Sequence, residues 1–192
     1  MTILIRDVRE QDLGAVLDLN NVAGPTILVL TMEKLRFFYE EAVYFRVAEV
    51  AGRVVGFLIA MDQDSAYTSS NYQWFKAHYP AFIYVDRVVV GSAQRGVGLG
   101  RLLYADVTSF AEVRAPLLAC EVFLEPRNDA LLLFHGTSGF QETGRHTMEE
   151  NGLPVSLLVK ELSSYAWVQE RYRGQLPDVP WLAARTRGGS GG

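Results

Sequence analysis

A glycine-rich turn between two arginines is the part of this sequence whose chemistry is clearest. Gly96, Gly98 and Gly100 take every second position between Arg95 and Arg101. Because glycines carry no side chain, the backbone N–H groups of such a turn can approach an anion closely. Guanidinium groups on either side are suited to phosphate oxygens. The spacing therefore predicts a site for a pyrophosphate group.

A strand and a helix must hold this turn in place. Residues 82–90 (FIYVDRVVV) are β-branched and aromatic, which indicates a buried strand that runs into the turn. After the turn the apolar residues fall on one helical stripe, so the helix is predicted to pack on a sheet with its N-terminal dipole at the glycines. That stripe contains Leu99, Leu102, Leu103, Val107 and Phe110.

Two further side chains on the strand could take part in chemistry. Period-two alternation places Tyr84 and Asp86 on the same face as Val88 and Val90. Asp86 could accept a proton from an amine, directly or through water. Alternatively it could form an ion pair with Arg87 or Arg101, or pair with a residue on a neighbouring strand. Tyr84 could line an acceptor pocket, or it could be an ordinary packed strand residue.

Composition restricts the class of protein. The chain has 192 residues, of which 49% are hydrophobic, and this favours one globular domain with a substantial core. The charged segment MTILIRDVRE does not resemble a signal peptide, and no apolar run is long enough to span a membrane. With a single cysteine and a net charge of −4, we expect a cytoplasmic protein that does not bind nucleic acid. The histidines show no metal-ligand spacing, so no metal site is expected.

The remaining patterns predict a mixed α/β fold. Two strand-like runs joined by Ala51-Gly52 indicate an antiparallel hairpin, and Thr31 is a plausible N-cap for a helix. The aromatic-rich segment 62–81 shows no clean period, and it could be a lid over a ligand, a packed insertion or a contact with a second subunit. The other predicted strands are 2–8, 44–50, 53–61, 117–124, 140–148 and 155–162, and the other predicted helices are 12–20, 129–135 and 163–181.

Two familiar phosphate-binding motifs fit the turn poorly. A nucleoside-triphosphate loop needs Lys-Ser/Thr after the last glycine, where this sequence has Arg101-Leu102. A dinucleotide-binding turn needs its third glycine one position later, although Glu121 stands about twenty residues on, where a ribose-binding acid would be. The antiparallel hairpin upstream does not build the doubly wound parallel sheet which that motif requires.

The turn instead resembles the signature Arg/Gln-x-x-Gly-x-Gly/Ala of the GNAT acetyltransferases. Two further blocks resemble the same family in the same order: the hairpin VAEVAGRVVGFLIA at 47–60 and the segment NDALLLFHGTSGF at 128–140. Together the blocks are distributed in the family's order within residues 3–162. The resemblance implies a mixed, mostly antiparallel sheet flanked by helices, whose central strands splay apart to hold acetyl-coenzyme A.

The resemblance also implies roles for individual residues. Backbone groups of Val88 and Val90 would pair with the pantetheine arm and polarise the thioester carbonyl, and Asn128 would contact the arm from the other side. Asn128 is equally suited to be a plain helix N-cap. The pyrophosphate would be held by the N–H groups of the turn, which comprises Arg95, Gly96, Val97, Gly98, Leu99, Gly100 and Arg101.

One position departs from the family pattern. The family often has a tyrosine there, as the acid that protonates the departing thiolate, and this sequence has His135. With an ordinary pKa of about 6.5, His135 would be about a quarter protonated at pH 7 and usable as an acid. Alternatively it is a surface or capping residue. Glu49 and Glu121 are further strand carboxylates, which are expected to lie on solvated faces.

These observations predict an acetyl-CoA-dependent N-acetyltransferase that acts by direct attack of an amine. Its acceptor would be a small-molecule amine or a peptide or protein terminus, since an α-amine of pKa about 7.8 needs only about 1 kcal/mol to become neutral, against roughly 4.6 for lysine. The alternatives are a non-catalytic acyl-CoA-binding domain and, less favoured, a nicotinamide-dependent oxidoreductase. We expect a catalytic domain at 1–163, a partly helical extension at 164–186, a flexible Gly/Ser tail at 187–192, and a possible homodimer.

Overall fold

A seven-stranded sheet with helices on both faces forms this protein, in a computed structural model that describes residues 2–24 and 27–172. The strands are β1 Ile3–Asp7, β2 Tyr44–Val50, β3 Arg53–Asp62, β4 Ile83–Val90, β5 Leu117–Phe123, β6 Gln141–Thr147 and β7 Pro154–Glu161. The helices are α1 Leu13–Asn21, α2 Met32–Glu41, α3 Ser70–His78, α4 Leu99–Ala111, α5 Asp129–Thr137 and α6 Ser164–Tyr172. The expected mixed, mostly antiparallel sheet flanked by helices is confirmed.

The centre of the sheet holds the feature that matters for function. The strand order is β1-β2-β3-β4-β5-β7-β6, and β4 and β5 are parallel while the other described neighbours are antiparallel. The two parallel strands pair only at their first residues, Ile83 with Leu118 and Tyr84 with Ala119. Beyond that point they separate. The predicted splay of the central strands is therefore present.

Each face of the sheet carries its own apolar core. On one face α1, α2 and α3 pack through side chains such as Val16, Phe38 and Phe75, all fully buried. On the other face α4 packs through Leu103 and Val107. We call these the α1–α3 face and the α4–α5 face, since α5 lies partly on the second one.

Most local predictions are confirmed, because they depend on neighbouring residues. The β2–β3 hairpin is antiparallel and turns through Ala51-Gly52, both with positive φ. Thr31 caps α2 by accepting a hydrogen bond from the Lys34 N–H at 3.1 Å. The apolar stripe of α4 was wrong in one place: Leu102 is exposed, and Tyr104 is buried instead. Ideal helical spacing predicts which residues share a face, but it does not predict how far the sheet extends beneath the first turn of the helix.

The structure describes only part of the predicted C-terminal extension. Helix α6 begins at Ser164 and is described as far as Tyr172; the rest of the predicted helix and the Gly/Ser tail lie outside the described residues. Within the described ranges, no helix combines the length and the apolar character needed to cross a bilayer.

Candidate active site

A cavity of about 690 Å³ opens where β4 and β5 separate. Val88 and Val90 line it from β4, and Cys120 and Glu121 line it from β5. Consecutive residues of a strand point to opposite faces, and Cys120 belongs to the core of the α4–α5 face. Glu121 therefore points to the α1–α3 face. The cavity thus passes through the sheet and joins its two faces.

The end of the cavity on the α4–α5 face carries backbone amides that could bind an anion, and we call it the glycine-turn end. Helix α4 begins after Gly98, and the first N–H groups of a helix have no acceptor within it. Among the described residues, no protein oxygen accepts a hydrogen bond from the backbone amides of 96–101. Gly96 and Gly98 have φ of 81° and 88°, a conformation that other residues rarely adopt. The glycines are thus required by the backbone path that turns these amides outward.

The two arginines of the turn keep their charge available. The guanidinium of Arg95 donates to the carbonyl oxygens of Ala23 at 3.0 Å and of Val90 at 3.4 Å, so it is fixed without being neutralised. Arg101 lines the cavity, and in the described part of the chain no carboxylate pairs with it. The side chain of Val97 is 68% exposed, so only its backbone could contribute.

Gly100 and Asn128 border the same part of the cavity. A Cβ atom on Gly100 would lie 3.4 Å from the Phe134 ring and 4.0 Å from Val90, so a larger residue would fill the space between α4 and α5. The Asn128 side chain accepts a hydrogen bond from the Leu131 N–H at 3.0 Å. It is therefore a helix N-cap that also lines the cavity.

A β-bulge at Asp86 overturns the predicted alternation along β4. Ile59 of β3 pairs with Arg87, but the next residue, Ala60, pairs with Val85, so Asp86 is an extra residue. A bulge moves the residues on one side of it to the opposite face. Tyr84 packs in the core of the α1–α3 face, whereas Val88 and Val90 pack on the α4–α5 face.

Asp86 is paired, as one of the alternatives for it foresaw. Its carboxylate accepts hydrogen bonds from Arg87 Nε and from the Tyr67 hydroxyl, both at 2.6 Å. The Arg87 guanidinium is buried, and it also donates to the Asn20 side chain at 2.8 Å. Asp86 lines the cavity on the α1–α3 face with its negative charge balanced by this arginine.

Glu121 is the titratable carboxyl that sequence reasoning missed. It was expected on a solvated face, and instead it lines the cavity and accepts a hydrogen bond from the Tyr84 hydroxyl at 2.7 Å. Burial, and next the negative charge of Asp86, raise the pKa of Glu121 to about 8. Tyr84 itself is fully buried and is not among the lining residues of the described cavity. It therefore holds Glu121 through this hydrogen bond from the core side.

His135 lines the cavity, but its two ring nitrogens are both engaged. Nδ1 lies 2.9 Å from the Leu131 carbonyl oxygen, to which it must donate, and Nε2 lies 2.8 Å from the Tyr104 hydroxyl. Burial lowers the pKa of His135, so the ring is neutral at pH 7 and Nε2 accepts the tyrosine proton. His135 is therefore less protonated at pH 7 than the quarter expected from an ordinary pKa, and it is buried rather than on the surface.

The segment 62–81 is a packed insertion that also forms one wall of the cavity. Its helix α3 buries Tyr72 and Phe75 completely. Ser70 binds the β6–β7 turn, because its N–H and hydroxyl donate to the Glu150 carboxylate at 2.6 and 2.7 Å. Tyr67 and Ser69 line the cavity. Of the three alternatives, the structure shows a packed insertion, and two of its residues also border the α1–α3 end of the cavity.

Glu121 and Tyr104 could not have been found from local patterns. Each becomes part of the site because β4 and β5 separate beside it, and that separation is a property of the whole sheet. The one available signal was the position of Glu121 in the strand that follows the glycine-turn helix. Among the described residues, no group of three or more potential ligands could hold a metal ion.

Comparison with known proteins agrees with this geometry. The sequence model of the Acetyltransferase (GNAT) family matches residues 16–140, and no curated protein matches the chain. Among solved structures, the ribosomal-protein-S18-alanine N-acetyltransferase of Escherichia coli has a TM-score of 0.65 at 15% identity, over 84% of this chain and 94% of its own. Chaetomium thermophilum Naa20 in complex with a bisubstrate analogue has a TM-score of 0.66 at 19% identity, over 91% of this chain and 93% of its own. The NatC complex bound to Gag peptide and CoA has a TM-score of 0.64 at 14% identity, over 84% of this chain and 99% of the matched chain.

Proposed function

This chain belongs to the GNAT family of acetyltransferases, whose acetyl donor is acetyl-CoA, and on that premise we propose that it is an N-acetyltransferase for primary amines. The observation that carries the proposal is the passage between β4 and β5. It connects an anion site on one face of the sheet with a carboxyl of raised pKa on the other. A donor and an acceptor can thus enter from opposite faces and meet between the strands.

The residues present fit acetyl-CoA. The amides of 96–101 have no acceptor in the described part of the protein, and Arg95 and Arg101 add positive charge beside them. These groups would hold the pyrophosphate. Backbone groups of Val88 and Val90 would hold the pantetheine arm along β4, beyond the point where β5 has left its partner. Asn128 would border the arm from the start of α5.

Glu121 is proposed as the base. Bound acetyl-CoA would supply a thioester whose carbonyl carbon is open to attack by an amine. As the C–N bond forms and the C–S bond breaks, Glu121 would take the proton that the amine loses, and CoA would leave as a thiolate that takes a proton from water. Because the pKa of Glu121 is raised to about 8, proton transfer from an α-amine of pKa about 7.8 is nearly balanced, whereas transfer from a lysine amine costs about 3 kcal/mol.

Asp86 and His135 receive supporting roles in this proposal. Asp86 is occupied by Arg87 and Tyr67, and its charge helps to raise the pKa of Glu121. His135 is neutral and holds the Tyr104 hydroxyl in the wall of the cavity. We propose that both position other groups, and that neither exchanges a proton with the substrates.

The end of the cavity on the α1–α3 face, where the acceptor would bind, favours an amine next to an apolar group. Ile27, Leu28 and Met148 line the cavity on that side, and the cationic side chain among the described lining residues there, Arg87, is paired with Asp86. Lys34 lies outside the lining, with its Nζ 4.5 Å from the centre of the Tyr67 ring. Two of the structural neighbours carry names that refer to a protein alanine and to a peptide. We therefore propose peptide α-amines and small apolar amines as the acceptor class.

A thiol-release assay tests the proposal. Acetyl-CoA is incubated with the protein and one amine at a time: a dipeptide amide, an Nα-acetylated lysine amide or spermidine. We expect free CoA thiol with the dipeptide amide, and a loss of at least about a hundredfold in turnover for Glu121→Gln. Binding of CoA without thiol release from any amine would contradict the enzyme assignment, and full activity of Glu121→Gln would remove Glu121 as the base.

A further inference from the structure

Asn71 is an unexplained residue of this structure. It lies on α3 of the insertion with a side chain that is 0% exposed. Neither its Oδ1 nor its Nδ2 has a hydrogen-bond partner among the described residues. A buried amide without partners is unfavourable, and native proteins keep few of them without a reason.

The neighbour of this amide is Glu121. The Asn71 amide lies close enough to the Glu121 carboxylate to stabilise it as a hydrogen-bond donor would, and so it opposes the rise in the pKa of Glu121. No hydrogen bond of ordinary geometry joins the two side chains. The Tyr84 hydroxyl donates to Oε2 of the carboxyl, and Oε1 receives no direct hydrogen bond from the described residues. Other polar groups that face Glu121 are Asp86 and Arg87 from β4 and the Tyr67 hydroxyl from the insertion.

Anchoring of the insertion does not require Asn71. Helix α3 is held by the Tyr72 hydroxyl, which donates to the Asp62 carbonyl at 2.7 Å, and by Ser70 on Glu150. Tyr72 and Phe75 supply the apolar packing. An apolar side chain of similar size at position 71 would serve the core better than an unpaired amide does.

We propose that Asn71 is a positioning residue for Glu121. The insertion places a side-chain dipole beside the carboxyl, which keeps the carboxylate form accessible and directs the unoccupied oxygen toward the cavity. This inference rests on the proposed function, in which Glu121 is the base. It assigns to α3 a role in the reaction that packing alone does not give it.

Direct titration of Glu121 in the protein without donor or acceptor tests this role. Side-chain carboxyl carbons of glutamate are labelled with ¹³C, and the Glu121 resonance is assigned by its loss in Glu121→Gln. In Asn71→Leu we expect Glu121 to titrate about one pH unit higher than in the wild type, because the stabilising dipole is gone. In Asn71→Asp we expect a larger rise, because a second negative charge is added.

Stability distinguishes this role from a structural one. Since Asn71→Leu removes an unpaired buried amide, its Tm should be equal to or above that of the wild type. Tyr72→Phe, on the same helix, is the matched control: it loses a buried hydrogen bond, so its Tm should fall by about 2–4 °C while Glu121 titrates as before.

An unchanged titration of Glu121 in Asn71→Leu would overturn the inference. If that variant does not fold, Asn71→Ser, which is smaller and keeps a hydroxyl, should still shift the titration upward, and an unchanged value there would have the same force. These outcomes are separate from failure of the proposed function. Full acetyl transfer by Glu121→Gln would refute the base while leaving the titration result standing.

Discussion

Replacement of Glu121 by glutamine should make the stability of this protein less dependent on pH. Glutamine has nearly the same volume and can still accept the hydrogen bond that the Tyr84 hydroxyl donates at 2.7 Å. It does not ionise, so it carries no cost of placing a negative charge in the cavity beside Asp86. The comparison therefore isolates the charge of one carboxyl.

The size of the effect follows from the pKa of Glu121, which rises from 4.5 to about 8 on folding. Between these values the folded protein holds a proton that the unfolded chain has released. The stabilisation is thus complete below pH 4.5 and is lost as the pH rises to about 8. At about 1.4 kcal/mol per pH unit, the loss is at most about 5 kcal/mol, of which about 3 kcal/mol has occurred by pH 7.

Thermal and urea denaturation of both proteins at pH 5 and pH 8 provide the assay. The advantage of Glu121→Gln over the wild type should grow by roughly 3 kcal/mol between the two values, or about 6–12 °C in Tm. Other titrating groups are common to both proteins and cancel in the difference. Parallel stability curves would show that Glu121 ionises normally, and the reasoning that makes it a base near neutral pH would then fail.

Three further substitutions test the rest of the site. Gly100→Val should lower CoA affinity by at least about tenfold in calorimetry, because its side chain would fill the space between α4 and α5 beside the glycine turn. Gly136→Ala is the control, since no atom lies near its Cβ. Equal CoA affinities for the two variants would refute binding of CoA at the glycine turn. Arg87→Met should cost about 3–5 kcal/mol in urea denaturation because it leaves the buried Asp86 carboxylate unpaired, and a loss below about 1 kcal/mol would contradict this. Tyr104→Phe should cost about 1–3 kcal/mol by leaving the imidazole without its donor, with CoA affinity unchanged; no loss would mean that the hydrogen bond is not made.

The sequence by itself determined the parts of the site that depend on short stretches of backbone. Gly96 and Gly98 need positive φ wherever the chain goes, and a helix that follows them presents its free amides in any fold. The Thr31 cap and the Ala51-Gly52 turn are local in the same way. The geometry of the glycine turn and most element boundaries therefore follow from the order of the residues alone.

Only the tertiary structure decided which side chains meet at the reaction end. The bulge at Asp86 exists because β3 and β4 are out of step by one residue, and it reverses the face that alternation assigned to Tyr84. The separation of β4 from β5 is what brings Glu121 into a cavity, and packing between α4 and α5 is what buries His135. Register, splay and burial arise between elements distant in sequence, and the pKa of a carboxyl follows from them, so no periodicity within one strand could have supplied it.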